Sequence, residues 1–289
     1  MTQVTNPTTP ASSLSGGVGG GGFTVIGTAS DNRLNGGPGS DIIQTFAGAD
    51  VIAGGSGNEL IITDGGNDSV GGGDGNDTIL SGSGSDVVAG GTGDDFIFGG
   101  KGDDLVDGGD GNDVISGDRG NDTVLGGSGN DTVFGGQGND VVGGGDGNDS
   151  LFGGKDNDTV NGGAGADFIS GDRGSDVLTG GAGSDTFYFF SSGGDYGVDT
   201  VTDFTPGEDK IRLKTTGGGV FGGLGTALEA SEFVVVSGFN TATPGTATTN
   251  KLVYDPTNGA LYFNGSSGVL TIAQLQPGLT ITTNNFELF

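Results

Sequence analysis

The sequence predicts an all-β fold, a right-handed parallel β-roll (β-solenoid) of GGxGxDxUx repeats, where U is apolar, with a small C-terminal β cap or appendage. The first observation is a period: residues 27–188 divide into eighteen frames of nine residues without an insertion or deletion. The second is a glycine-rich turn at frame positions one to four, and the third is an apolar residue at position eight of every frame. Each frame therefore reads as a tight loop followed by a short strand.

The frame length predicts how the loops stack. Two frames make a coil of 18 residues, so each frame stacks on its second neighbour at the strand spacing of about 4.8 Å, and the loops form two ladders. Glycine at positions one, two and four, and Asn before the Asp, as at Asn112, are expected to supply backbone with positive φ. Such loops can turn carbonyl oxygens towards a bound ion.

The sixth frame position holds the candidate metal ligands. Aspartate occupies it in every frame except two, which have Asn32 and Glu59. Hard carboxylate and carbonyl oxygens favour Ca²⁺, because Mg²⁺ is smaller and loses its water reluctantly. The candidate ligands are Asp41, Asp50, Glu59, Asp68, Asp77, Asp86, Asp95, Asp104, Asp113, Asp122, Asp131, Asp140, Asp149, Asp158, Asp167, Asp176 and Asp185.

Stacked carboxylates of like charge repel one another, and a cation between each stacked pair reverses that sign. We expect about 10 to 15 Ca²⁺ ions, fewer than the number of gaps between loops because some frames depart from the pattern. Catalytic and organic cofactor sites are not expected. Calcium is thus the predicted cofactor and the principal partner.

Composition excludes several classes of protein. With 69 glycines in 289 residues and only 31% hydrophobic residues, the chain has too few apolar side chains for an ordinary packed globule. A formal charge of −28 excludes nucleic acid as a partner. The sequence has no Cys and no His, which removes disulfides, an HExxH zinc helix and a Ser-His-Asp triad, so we predict that the chain is not an enzyme.

The frames carry a family resemblance. Residues Gly108–Ser116, GGDGNDVIS, match every defined position of the RTX (repeats-in-toxin, hemolysin-type) calcium-binding nonapeptide repeat, and the chain resembles that family over more than half its length. The resemblance implies a calcium-binding β-roll that is secreted by the type I route to the extracellular space and folds there. A disordered linker would account for the glycine content but not for the fixed apolar position, although without calcium we expect disorder.

Several frames depart from the family pattern, and ion binding is in doubt there. The early departures are Thr45-Phe46, Thr63-Asp64, Ser81 and Glu59, and the later ones are Asp118, Asp156 and Asp172, which stand where the family has Gly.

The chain outside the repeats has three expected parts. Residues 1–26 read as a flexible Gly/Ser/Thr leader and N-terminal edge, without a cleavable signal or a membrane span. Residues 189–213 resemble the cap that closes such rolls. Within this cap, Asp199, Asp203 and Asp209 are expected either to ligate a terminal ion or to serve as ordinary strand and turn acids.

Residues 214–289 are expected to form a small β region. Strands at Leu252–Asp255 and Leu261–Asn264 flank a Pro-Thr-Asn-Gly turn. The ending Asn285–Phe289 resembles an uncleaved type I secretion signal, and a plain last strand is the alternative.

Two function classes remain open. The first is a secreted calcium-binding protein with a structural or surface-associated role. The second is an accessory or secretion module of an enzyme system, carbohydrate-modifying or hydrolytic. An adhesive or ice-binding solenoid would need a regular Thr row, whereas position seven mixes Thr with larger residues.

An apolar face is expected on the sheet that contains Asp113. Its outward residues at positions seven and nine are often aromatic, whereas position nine of the other sheet is mostly small. We expect the aromatic face to contact another roll, a cell-surface partner or the C-terminal region, unless these residues are kept only for strand propensity. The outward residues are Ile42, Leu60, Ile62, Leu80, Phe96, Phe98, Phe134, Phe152, Phe168 and Tyr188.

Overall fold

The structure, a computed structural model, describes residues 2–5, 12–15, 22–190, 197–214, 232–239, 241–242, 244, 251–265 and 268–289. It divides the chain into a first unit, Met1–Leu151, and a second unit, Phe152–Phe289. The described residues form β-strands and the 3-10 turn Thr283–Asn285, which confirms the all-β prediction.

Strands of the first unit alternate along the chain between two parallel sheets. Sheet 1 consists of β1 (Thr2–Thr5), β3 (Phe23–Ile26), β5 (Ile42–Gln44), β7 (Leu60–Ile62), β9 (Thr78–Leu80), β11 (Phe96–Lys101), β13 (Val114–Arg119) and β15 (Thr132–Gln137). Sheet 2 consists of β2 (Ser12–Ser15), β4 (Asn32–Pro38), β6 (Val51–Ser56), β8 (Ser69–Asp74), β10 (Val87–Thr92), β12 (Leu105–Asp110), β14 (Thr123–Ser128) and β16 (Val141–Asp146). This is the predicted parallel solenoid.

The strand register confirms the predicted coil. In sheet 2, Val88 pairs with Val106, and in sheet 1, Ile97 pairs with Ile115, so neighbouring strands are offset by 18 residues. Consequently, the loops stack in two ladders. Ladder A joins sheet 2 to sheet 1 and includes Asp113, and ladder B joins sheet 1 to sheet 2 and includes Asp122.

The core is the predicted row of position-eight side chains. Ile97, Val106 and Ile115 are completely buried between the sheets, whereas their neighbours Leu105 and Val114 at position seven are exposed. β-branched residues suit this place because they pack well on a pleated surface with few alternative rotamers. One aliphatic side chain per frame is therefore the whole apolar interior of the repeats.

Positive φ is needed at only two of the three glycine positions. Gly109 at position two has φ 109° and Gly111 at position four has φ 146°. A Cβ on either would also overlap the carbonyl group of the equivalent glycine one coil earlier. Position one, as at Gly108, does not have positive φ, so that expectation was wrong; this glycine is required for a close approach, described with the site below.

The Asn at position five is not left-handed either. Among the described residues, the non-glycine residues with positive φ are Asp118, Asp156 and Asp172, at positions two and four. The Asn112 amide oxygen instead accepts the backbone N–H of Asn130 at 3.0 Å, one coil further on. Position five thus forms a side-chain to backbone ladder on the surface of the loops.

Two short strands lie in the N-terminal segment, which was predicted to be a flexible leader and N-terminal edge. Strands β1 and β2 lie within residues 1–26, and β1 pairs in parallel with β3 from Thr2 opposite Phe23. The exposed backbone edge of β3 explains the pairing, because an unpaired parallel edge is a template for any extended segment.

The second unit continues with parallel strands and ends in an antiparallel region. Strand β17 (Ser150–Lys155) spans the boundary between the units. One sheet of the second unit consists of β19 (Phe168–Arg173), β21 (Thr186–Phe189), β23 (Lys210–Leu213) and β28 (Phe286–Leu288). The other consists of β18 (Thr159–Ala164), β20 (Val177–Ala182), β22 (Asp199–Val201), β27 (Gly268–Gln274), β26 (Ala260–Gly265), β25 (Lys251–Asp255) and β24 (Phe233–Val235).

The C-terminal strands close the sheets of the second unit. The predicted strands around Leu252–Asp255 and Leu261–Asn264 are present as the antiparallel pair β25 and β26. Strand β27 pairs with β22, and the last strand β28 pairs in parallel with β23. The residues Asn285–Phe289, which resemble a secretion signal, thus contain the final strand β28.

Both outer faces are apolar, which corrects the expected contrast between them. The aromatic row lies on the sheet of Asp113 as predicted, with Phe96 43% exposed. Sheet 2 is small at position nine but exposes aliphatic side chains at position seven, where Val87 is 51% and Val141 is 47% exposed. The faces therefore differ in aromatic content more than in polarity.

Candidate metal centre

Within each unit, hydrogen bonds join the position-six aspartates of successive coils into ladders. In ladder A the backbone N–H of Asp95 donates to Oδ1 of Asp113 at 2.7 Å, and in ladder B the N–H of Asp104 donates to Oδ1 of Asp122 at 2.8 Å. Each such bond joins one coil to the next. The short aspartate side chain has the length for this bond, so one carboxylate oxygen of each frame is used to stack the coils.

The second carboxylate oxygen has no hydrogen-bond partner in most frames. Buried polar atoms in native proteins are nearly always paired, so a row of unpaired anionic oxygens fits a cation-binding site. The frames with a buried, unpaired Oδ2 include those of Asp41, Asp50, Asp68, Asp77, Asp86, Asp95, Asp104, Asp113, Asp122, Asp131 and Asp176. The aspartates at the equivalent places in the remaining frames, Asp140, Asp149, Asp158, Asp167 and Asp185, are also buried.

Glycine at position one keeps space beside these oxygens. A Cβ on Gly117 would lie 2.5 Å from Oδ2 of Asp122 and 2.7 Å from the carbonyl oxygen of Gly135, one coil further on. The same two oxygens, from the aspartate of the frame and the glycine of the next coil, surround the corresponding point at Gly99. In loops with glycine at position one, a carboxylate and a carbonyl oxygen therefore converge, and the glycine places no side chain over them.

Burial makes the ion-free ladders electrostatically unfavourable. It raises the pKa of Asp95 and of Asp104 to about 7, and the charges of the aspartates one coil away add to this effect. Burial likewise raises the pKa of Asp122 and of Asp131 to about 6, again with a contribution from neighbouring carboxylates. Ionised at neutral pH, these groups destabilise the ion-free fold, and a bound cation removes that penalty.

The donor set fits calcium. Within the described ranges, no group of three or more acidic side chains converges on one point. An ion would therefore take one or two carboxylate oxygens and complete its shell with backbone carbonyls, which the flexible, oxygen-only coordination of Ca²⁺ accepts. The calcium ion would supply the charge that holds neighbouring loops together, and the protein would supply oxygens at fixed separations.

The glutamate frame differs from its neighbours as the sequence suggested. The Glu59 N–H donates to Oδ1 of Asp77 at 2.7 Å, but neither carboxylate oxygen of Glu59 has a hydrogen-bond partner. Burial, with the charge of Asp77, raises the pKa of Glu59 to about 8. The longer Glu59 side chain thus lies in ladder A, but its carboxylate does not join neighbouring coils by a hydrogen bond as the aspartate carboxylates do.

Three early loops of ladder B carry hydroxyl side chains at position one. The Thr63 hydroxyl donates to the carbonyl oxygen of Ser81 at 2.6 Å, and the Ser81 hydroxyl donates to that of Phe98 at 3.2 Å. Strands β5, β7 and β9 end just before Thr45, Thr63 and Ser81, whereas later strands of sheet 1 continue to position three. In these loops a hydroxyl group occupies the space that glycine leaves elsewhere.

The aspartate ladders of the second unit continue past the last repeat. The N–H of Asp176 donates to Oδ1 of Asp199 at 3.1 Å, and the N–H of Asp185 donates to Oδ1 of Asp209 at 3.0 Å. Asp203 instead accepts the N–H groups of Gly180 and Gly181 with its two oxygens. Asp199 and Asp209 therefore act as further ladder members, and Asp203 caps the backbone.

Comparison with known proteins decides the family. The family model described as "RTX calcium-binding nonapeptide repeat (4 copies)" matches more than half of the chain. The matched residues are 26–58, 44–79, 53–88, 80–115, 107–142, 116–151, 143–178 and 161–189. The chain belongs to this family. RTX repeats bind calcium, and the unpaired oxygens of the aspartate ladders are candidate ligands for it.

Other comparisons are less informative. No curated protein matches the chain. Among solved structures it is similar to the extracellular lipase LipA from Serratia marcescens, with 16% sequence identity and a TM-score of 0.21. That match covers 94% of this chain and 41% of the lipase, so the chain spans less than half of the lipase's length. No helix among the described residues is both long and apolar enough to cross a bilayer.

A paired glycine substitution tests the site. Gly117→Ala would place a methyl group against Asp122 and Gly135, and we expect it to raise the calcium concentration at the folding midpoint about tenfold, as loss of a supporting contact to a metal ligand does. Gly71→Ala is the matched control, because the nearest atom to its Cβ, the Ile52 carbonyl oxygen, is 4.0 Å away. Equal midpoints for the two variants, measured by circular dichroism, would contradict the assigned position of the site.

The raised pKa values predict opposite pH effects with and without calcium. Ion-free protein should be more ordered near pH 4 than at pH 7.5, because the folded pKa of Asp95 is about 7 and its ordinary value is 3.8. The stability that protonation contributes is complete below the ordinary pKa and is lost as the pH rises through about 6 to 7.

With calcium present, protons compete with the ion, so the calcium midpoint should rise below about pH 6. Circular dichroism of dialysed, ion-free protein checks the ion-free effect, and more β-structure at pH 7.5 than at pH 4 would refute it.

Proposed function

We propose that this RTX chain is a noncatalytic extracellular module that folds when calcium binds and then has a structural or surface-associated role. The observation that carries the proposal is the row of buried, unpaired aspartate oxygens along both loop ladders. These oxygens make the fold unfavourable without a cation and favourable with one.

The energetics support coupled binding and folding. Only one side chain per frame, such as Ile115, is buried in the apolar interior, which is a small hydrophobic contribution for nine ordered residues. Several of these residues are glycine, which loses more backbone freedom on folding than any other residue. Calcium is expected to bind the folded loops and not the disordered chain, so the ion-free repeats are expected to be disordered and the loaded repeats folded.

An extracellular setting is part of the proposal, and the calcium affinity typical of extracellular modules is compatible with it. Extracellular calcium modules bind in the range of about 10⁻⁴ to 10⁻³ M, which keeps such a chain unfolded in a calcium-poor cytosol. Export by the type I route, with a C-terminal signal that includes Asn285–Phe289, is part of the proposal. A load of about 10 to 15 ions would offset much of the formal charge of −28.

A noncatalytic role is supported by the side chains available. The sequence has neither His nor Cys, and the buried carboxylates of the repeats belong to the aspartate ladders. An accessory role beside a secreted enzyme is compatible with the same calcium-dependent folding. The chain would then be the folding and presentation module and not the catalyst.

Three aspartate substitutions test the proposal. Asp113→Ala removes a ladder A ligand between two stacked loops and is expected to raise the calcium midpoint about tenfold. Asp50→Ala, in a frame with Thr45 at position one, is expected to raise it less. Asp107→Ala is the control, since it removes the same charge from an exposed strand position and should leave the midpoint unchanged.

Calcium titration followed by circular dichroism measures all three variants. Equal midpoints for Asp113→Ala and Asp107→Ala would show that position six is not the ligand position. Equal effects of Asp113→Ala and Asp50→Ala would show that the early frames bind calcium as well as the later ones do.

A further inference from the structure

The basic residues of the repeats are concentrated at one frame position. Residues 27–188 contain five basic side chains, and four of them, Lys101, Arg119, Lys155 and Arg173, stand at position three. They are the last residues of strands β11, β13, β17 and β19, and all four are exposed. In a chain with 37 acidic residues, this is a separate surface feature.

In the first unit the basic side chains line a shallow cleft. Lys101 is the register partner of Arg119, and Arg119 is the register partner of Gln137. Their backbone is fixed, because the carbonyl oxygens of Lys101 and Arg119 accept the N–H groups of Gly84 and Gly102 at 2.7 and 2.8 Å. The cleft has a volume of about 360 Å³ and is lined by Gly82, Gly100, Lys101, Asp118, Arg119 and Gln137.

The second unit repeats this arrangement independently. Its cleft has a volume of about 440 Å³ and again holds one Lys, one Arg, one Asp and further polar side chains. The lining residues are Lys155, Asp156, Asn157, Arg173, Gly174, Ser175 and Gly197. Two clefts with the same chemistry, each in its own unit, favour a shared ligand.

The cations are not neutralised within the protein. Across the described ranges, no ion pair joins Lys101, Arg119, Lys155 or Arg173 to a carboxylate. Like charges on directly opposed strand positions destabilise a sheet, so Lys101 beside Arg119 has an electrostatic cost that an external anion would remove. Asp118 lines the same cleft, and its Oδ1 accepts the Ser116 hydroxyl at 2.5 Å.

The mixed lining selects among anions. Two cations suit a carboxylate or sulfate group, whereas the aspartate in each cleft would repel a compact anion and would accept hydrogen bonds from hydroxyl groups. Neither set of lining residues includes an aromatic ring, which single-stranded nucleic acid uses for base stacking. We propose that the two clefts bind an acidic polysaccharide, with Lys and Arg on its uronate carboxylates and the Asp and amide groups on its hydroxyls.

Calcium would control this binding. The ion-free chain repels polyanions through its charge of −28, whereas the calcium-loaded chain is close to neutral and presents the basic clefts. This step rests on the calcium-dependent folding proposed above. The saccharide site is thus expected to be available only where calcium is abundant.

Binding of a fluorescently labelled hyaluronan octasaccharide, which carries uronate carboxylates and no sulfate, tests the inference. Calcium is held at about 5 mM, above the range of extracellular modules, and circular dichroism shows that each protein is folded. Lys101→Ala/Arg119→Ala is expected to halve the number of sites, and adding Lys155→Ala/Arg173→Ala to weaken binding at least about tenfold. The matched control is Arg33→Ala/Lys214→Ala, which removes two exposed cations outside the clefts and should change nothing.

Each outcome decides a different point. Binding by the four-residue variant within twofold of the original chain would overturn the proposal, as would equal competition by an oligo(dT) of the same charge. A chain that folds with calcium but does not bind the octasaccharide also overturns it while leaving the proposed function intact. Failure to gain β-structure with calcium would contradict the proposed function itself. If a variant does not fold, Gln replaces Ala at the same positions.

Discussion

The structure depends on offsetting the repulsion between aspartate carboxylates that are stacked one coil apart. Asp95 and Asp113 lie in neighbouring coils of ladder A, buried, with one oxygen of Asp113 fixed by the Asp95 N–H. At a coil spacing of about 4.8 Å, two such charges in a poorly hydrated loop repel strongly. The hydrogen bonds that stack the coils thus also bring the charges together, and a cation between them would replace this repulsion with an attraction.

This constraint explains why the interior can be so small. The sheets share one aliphatic side chain per frame, such as Val106 or Ile115, which would not stabilise an ordinary domain. Glycine is confined to places where the backbone approaches the neighbouring coil, as at Gly109 and Gly117. Residues that would enlarge the core are excluded by the same close stacking that creates the ion sites.

Much of the fold and the burial of the position-six aspartates could be predicted from the sequence, because a strict period fixes the neighbours of every residue. The 18-residue coil, the buried row of Val106 and Ile115 and the ladder of Asp113 follow from spacing alone. The different environments of the two Asp113 carboxylate oxygens could not be predicted in this way, because they depend on the direction of the Asp95 backbone N–H. The hydroxyl contacts of Thr63 could not be foreseen from its type.

The sequence was least informative where the period ends. Asp199 and Asp209 extend the ladders across spacings of 23 and 24 residues instead of 18, so nothing in the register singles them out. The basic clefts were also missed, although a signal was present: Lys101 and Arg119 share a frame position and are 18 residues apart. The net charge of the chain does not reveal such a cluster, whereas the frame position of each basic residue does.

Amide hydrogen exchange of the intact chain, with and without calcium, tests the central claim most directly. Saturating calcium should protect the amides of residues 27–188, including the ladder N–H groups of Asp95 and Asp104, and removing calcium with a chelator at pH 7.5 should abolish that protection across the whole segment. Equal protection of these amides in chelator and in calcium would contradict the account.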